Sequence, residues 1–116
     1  MKVRDLAALS PGAEWVVVGL PDEPIAGAYT SDMLSDVLAH APPGGVLITI
    51  QAHRNTVAVA MHRGLRAIVL AHHRPVPRDM AEAAQAEGIA ILRAPADQYT
   101  LSWRLHEHLR DEGVVR

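Results

Sequence analysis

The sequence predicts an α/β domain with a largely parallel central sheet and flanking helices. Two observations carry this. Val46–Ile50, Ala67–Ala71 and Ile89–Leu92 are short, unbroken apolar runs, the pattern of parallel strands buried on both faces. Between them lie Asn55–His62 and Pro77–Glu87, segments of helical length and composition, so strand and helix alternate as in βαβ units. A chain of 116 residues suits one layered core, and residues 1–116 are read as a single domain.

The elements follow in order. Lys2–Leu9 reads as a short helix with Val3, Leu6 and Leu9 on one face, stopped by Ser10-Pro11-Gly12. Trp15–Val18 is β-branched and too short for a helix, so it reads as a strand. A turn with two prolines, Leu20–Pro24, leads to a second strand at Ile25–Tyr29. Thr30-Ser31-Asp32 has the composition of a helix N-cap. The helix after it, running to about His40, is expected to turn Met33, Leu34, Val37 and Leu38 inward, and Pro42-Pro43-Gly44-Gly45 ends it. Gly88 closes the Pro77–Glu87 helix. Asp97 is placed to cap the last helix, where Leu101, Leu105 and Leu109 repeat at i, i+4, i+8.

Composition narrows the function. Hydrophobic residues make up 49 % and charged residues 21 %, a globular balance. Eleven Lys and Arg against thirteen Asp and Glu leave a net charge of −2, without the basic surplus of a nucleic-acid-binding module. Zero cysteines exclude disulfides, thiolate metal sites and cysteine nucleophiles. No apolar run reaches membrane-spanning length, and Met1–Asp5 does not read as a secretory signal, so a cytoplasmic location is expected.

In open α/β sheets ligands sit beyond the carboxyl ends of the strands. Two segments hold that position: Gln51-Ala52-His53-Arg54-Asn55 and His72-His73-Arg74-Pro75. If their strands are neighbours, both loops open on one edge. His53, Arg54, Asn55, His72, His73 and Arg74 are therefore the candidate ligand-binding residues. A helix beginning near Asn55 offers free N–H groups and the positive end of its dipole, and Arg54 a forked cation, which suits a small anion such as a nucleotide phosphate. The bland alternative is that solvent-facing loops are simply rich in Arg and His.

Other chemistry is weaker. Adjacent His72 and His73 at a strand end point to opposite faces, and His106-Glu107-His108 has i, i+2 spacing where a zinc-protease helix needs i, i+4. No metal site is read, and no cofactor is indicated. There is no P-loop, no Gly-x-Ser-x-Gly elbow, and no catalytic set. Ser31-Asp32 and Ser35-Asp36 repeat at helical spacing. They would make a carboxylate pair, but Asp32 is better read as a first-turn residue favoured by the helix dipole. Asp36 then needs a partner elsewhere, for which an interface is one source.

Gly27-Ala28-Tyr29-Thr30-Ser31-Asp32-Met33-Leu34-Ser35-Asp36 and the run Leu47–Ala60 with Gln51-Ala52-His53-Arg54-Asn55 resemble a stand-alone DRTGG-domain protein, and the similarity extends over nearly the whole chain. The resemblance implies an α/β fold like the N-terminal domain of HPr kinase/phosphorylase. It also implies the company of cystathionine-β-synthase-type (CBS) regulatory domains or phosphotransacetylase, and a regulatory or assembly role without assigned catalytic residues. That kinase's phosphate-binding loop belongs to another domain with no counterpart here. The chain departs from the family at the candidate loops: His53-Arg54 stands where larger members have Asp-Arg, and Ala71-His72-His73 where they have Thr-Gly-Gly. Glycines there permit positive φ, which histidine penalises.

The expected function is a non-catalytic regulatory or assembly module. It is homodimeric, with a small anionic ligand at the His53/Arg54 edge and Trp15–Val18 and Tyr29 as interface elements. Two other readings stay open: a small enzyme using His53, His72 or His73 as general base, and a ligand-free partner subunit of a larger enzyme.

Overall fold

A computed structural model describes residues 1–116. Its strands are β1 (Glu14–Val17), β2 (Ala28–Thr30), β3 (Val46–Thr49), β4 (Ala67–Leu70) and β5 (Ala90–Arg93). Its α-helices are α1 (Leu34–His40), α2 (Arg54–Arg63), α3 (Arg78–Glu87) and α4 (Gln98–Asp111). The sheet runs β1-β5-β4-β3-β2. β2 to β5 are parallel, and β1 closes one side antiparallel to β5, with Trp15 opposite Leu92 and an irregularity before Val17. No helix is long and apolar enough to cross a membrane.

Side-chain alternation along the strands divides the interior into two layers. Leu47, Ile68, Leu70 and Ile91 pack with Val37 of α1, Val57 and Ala60 of α2, and Met80 and Ala84 of α3. Val46, Ile48, Val69 and Leu92 pack on the other face against Leu101, Leu105 and Leu109 of α4. The first three crossovers step the same way across the sheet, which puts α1 to α3 on one face; the chain leaving β5 turns to the other.

Val3–Leu9 is a 3-10 helix, not an α-helix. Its buried Val3, Leu6 and Leu9 repeat every three residues, the period at which 3-10 side chains eclipse, and complete the α4 layer. Gly19, just past β1, has φ +64°, and a Cβ there would lie 2.6 Å from the Ala90 nitrogen; only glycine fits so close to β5.

The segment before α1 differs from expectation. The helix starts at Leu34 with Met33 as its N-cap residue, so Asp32 lies outside it. Val37 is buried, but Met33 and Leu38 are 65 % and 41 % exposed. A seven-residue helix on the flank of the sheet has room to bury only a narrow stripe.

Candidate functional site at the C-terminal edge of the sheet

β3 and β4 are parallel neighbours with Thr49 opposite Leu70, so the two loops leave adjacent strand ends. The Ala71 N–H donates to the Thr49 carbonyl at 3.1 Å, joining them at the base.

On the β3 side, the Thr56 hydroxyl donates to the Gln51 carbonyl at 2.8 Å and fixes the turn into α2. His53 occupies the N-cap position in extended conformation and makes no side-chain cap. The backbone N–H groups of Arg54 and Asn55, first in the helix, find no acceptor in the protein. Nor does a carboxylate stand in for one. α2 has no acidic residue in its first turn, whereas α1 has Asp36, α3 has Asp79, and α4 is capped by Asp97. His53, Arg54 and Asn55 are all exposed. Arg54 makes no ion pair and lies along a groove of about 250 Å³ between α2 and α3, beside Ala58, Met61 and Ala83.

The β4 side is tightly organised. β4 leads to α3 on one face and β5 to α4 on the other, the divergence that opens a ligand crevice in doubly wound sheets. Here backbone hydrogen bonds close it. The His72 N–H donates to the Ala96 carbonyl at 3.0 Å, and the His73 N–H to the Ala94 carbonyl at 2.8 Å. Both residues take left-handed backbone, φ 57° and 50°. Two histidines thus occupy the conformation that glycine adopts freely. Arg93 clamps the turn: its Nε donates to the Arg74 carbonyl and its Nη2 to the His73 carbonyl, each at 2.8 Å.

These contacts separate the candidate residues. His73 Nε2 lies 3.5 Å from Glu14 Oε1, which also pairs through its other oxygen with Arg93 at 3.3 Å. His73 thereby belongs to the β1 side, and its Nδ1 is buried without a partner. His72 is exposed, and its imidazole lies close enough to Asp97 to help hold that carboxyl below the ordinary range; the main cause there is the Thr100 backbone N–H. Arg74 is exposed and without an ion pair. The edge thus carries two unpaired guanidinium groups, Arg54 and Arg74, with acidic residues spaced among its histidines.

Two polar clusters were not legible as such in the sequence. Asp32 Oδ1 accepts from the Thr49 hydroxyl and the Ile50 N–H, each at 3.0 Å, and from Gln98 Nε2 at 2.9 Å. Gln51 Nε2 donates to the Asp32 carbonyl at 2.9 Å. Asp32 therefore ties β2, β3 and α4 together at the same edge. Asp36 finds partners within the chain: Tyr29 Oη donates to it at 2.8 Å, and His40 Nδ1 lies 3.0 Å away, with the Tyr29 and His40 rings stacked. The Tyr29 hydrogen bond holds Asp36 below the ordinary carboxylate range, while Asp36 raises the phenol. The Ser-Asp repeat was the available signal, but its two acids face different partners. No group of three or more His, Asp or Glu converges as a metal site.

Neither a family model nor a curated protein sequence matches the chain. Its fold is similar to the crystal structure of the CBS and DRTGG domains of the regulatory region of Clostridium perfringens pyrophosphatase, complexed with the activator diadenosine tetraphosphate. The TM-score is 0.66 at 14 % identity, over 89 % of this chain and 44 % of that one. This chain thus spans less than half the length of that regulatory region. The α/β fold implied by the DRTGG resemblance is the fold observed, and the similar structure itself contains a DRTGG domain.

Proposed function

We propose that this chain is a single DRTGG-like regulatory or assembly module. It acts without catalysing a reaction, as a homodimer, and takes a small anion of the nucleotide class where α2 meets the β3–β4 edge. The observation that carries this reading is the open start of α2. Two backbone N–H groups lack acceptors, no carboxylate neutralises the dipole, and Arg54, the first residue of the helix, is exposed and without an ion pair. That is the chemistry of a phosphate seat. His53 and Asn55 border it, with His72 and Arg74 across the loop junction; His73 serves the turn. The similar regulatory region, complexed with a dinucleotide activator, supports the ligand class.

A general-base reading has less support. His53 and His72 have no hydrogen-bonded carboxylate to orient them, and His73 approaches Glu14 only at 3.5 Å on an open surface. The imidazoles that do have a close carboxylate, His40 with Asp36 and His108 with Glu112, are exposed.

Thermal shift with inorganic phosphate, mononucleotides and dinucleotides tests the proposal. A ligand present at about 100 times its Kd stabilises by about 2.7 kcal/mol, several degrees for a domain of this size. Arg54→Ala, at an exposed position, should keep the unliganded Tm and lose most of the shift. No shift with any of these ligands, or equal shifts in both proteins, would refute the site.

A further inference from the structure

The outward face of α4 carries a stripe that the core does not use. Tyr99, Ser102, Trp103, His106, Glu107 and Arg110 line a shallow groove of about 520 Å³. Tyr99 is 80 % and Trp103 49 % exposed, although the chain has only four aromatic residues of these types. Tyr99, Trp103, His106 and Arg110 follow one another at intervals of four, three and four. At 3.6 residues per turn they fall within an arc of about 60°. This is the seam spacing by which one helix packs along another. It is turned about 130° around the helix from the inward seam of Leu101, Leu105 and Leu109.

The order of residues in the stripe points to its occupant. A two-fold axis between Arg104 and Leu105 would lay a second α4 antiparallel on the first. Tyr99 then meets the partner's Arg110, and Trp103 meets the partner's His106, each pairing occurring twice. Guanidinium and imidazolium groups stack favourably on aromatic faces. A parallel arrangement would set Arg110 against the partner's Arg110 and leave each cation facing its like. The groove also continues through Ser102 and His106 into a second one, of about 270 Å³, bounded by Ala28, Tyr29 and Thr30 of β2. β2 is an edge strand of the sheet, so the partner helix would gain contact area beyond the stripe.

We infer that α4 is the interface of a symmetric homodimer, with two copies of the helix antiparallel across the Tyr99–Arg110 seam. This rests on the homodimer half of the function proposed above. It moves the contact from the Trp15–Val18 strand, at the far side of the sheet, to α4 and the β2 side.

The absence of cysteine makes a decisive test available. Within one α4, positions 99 and 110 lie about 16 Å apart along the axis, beyond the roughly 7 Å between Cα atoms that a disulfide spans. In the full chain, Tyr99→Cys with Arg110→Cys should therefore give a covalent dimer on mild oxidation, seen on a non-reducing gel. Either single substitution should stay largely monomeric on that gel, because each would face its own copy about 16 Å away. Light scattering on the unsubstituted protein at about 100 μM should report a dimer. Trp103→Arg, which sets cation against imidazole, should weaken it more than tenfold while leaving the circular dichroism unchanged. A monomer in light scattering, a dimer indifferent to Trp103→Arg, or single and double cysteine variants that cross-link alike would overturn the inference. Phosphate and nucleotide thermal shifts read a different surface, so failure of the dimer and failure of the anion seat are separable.

Discussion

The Gln98 side-chain amide donates to Asp32 Oδ1 at 2.9 Å, tying the first turn of α4 to the loop after β2 across 66 positions of sequence. The same oxygen receives the Thr49 hydroxyl and the Ile50 N–H. One carboxylate thus sets three segments at the edge where the anion seat is proposed, while the neighbouring start of α2 is left without an acidic partner.

Asp32→Ala should destabilise the protein by about 2–3 kcal/mol, because it strands several donors that point at a charged acceptor. Asp32→Asn keeps an acceptor oxygen and should lose about half as much. Urea unfolding monitored by circular dichroism measures both. A change below about 0.5 kcal/mol in Asp32→Ala, the range of an ordinary surface substitution, would contradict the assigned role.

The His72-His73 turn makes a prediction of opposite sign. A non-glycine residue in left-handed backbone costs about 1–2 kcal/mol, and glycine returns part of that through the entropy of the unfolded chain. His72→Gly should therefore stabilise by about 0.5–1 kcal/mol, and His72→Val should destabilise by more than 1 kcal/mol. His73→Gly should gain less than His72→Gly, since it also gives up the contact with Glu14. Chemical denaturation of the three variants gives the order.

Stability should fall at both pH extremes, for identifiable reasons. Asp36, Asp97 and Glu112 are held below their ordinary range by Tyr29, by the Thr100 N–H and by the chain's own N-terminus. A carboxyl depressed on folding stabilises at pH above its unfolded pKa, and that contribution is lost as pH falls from about 4 through the folded value. Tyr29 is raised instead, so its contribution is present below its unfolded pKa, about 10, and is lost as pH rises through the higher folded value. Tm measured against pH should decline below about pH 4.5 and above about pH 10. Tyr29→Phe should lower the neutral Tm by a few degrees and flatten the alkaline limb. An unchanged alkaline limb would contradict the Tyr29–Asp36 assignment.

The parts of the fold that depend on local pattern were legible in the sequence. Val46–Ile50, Ala67–Ala71 and Ile89–Leu92 are apolar at every position but Thr49 because both faces of those strands are covered, and Leu101, Leu105 and Leu109 mark the buried side of α4 without ambiguity. Asp97 was recognisable as a cap because its partner, the Thr100 N–H, is three residues away. Asp32 has the same composition signal, yet its carboxylate serves Gln98 and Ile50, and nothing in Thr30-Ser31-Asp32 distinguishes a local cap from a distant tie. The candidate loops were placed on one edge by strand order alone. That His73 would turn to Glu14 was hidden, since Glu14 belongs to the single antiparallel strand, whose pairing no crossover dictates. The positive φ of His72 and His73 was hidden for a related reason: it is imposed by carbonyls of Ala94 and Ala96 in another loop.

The anion seat can be read most directly from backbone amides. In a titration of isotope-labelled protein with inorganic phosphate, and then with adenine mono- and dinucleotides, the account predicts saturable shifts of the Arg54, Asn55 and Thr56 amide resonances. His72 and Arg74 should follow, and the shifts should be abolished by Arg54→Ala. Saturable shifts confined to another surface, or no saturable shift at millimolar ligand, would contradict it.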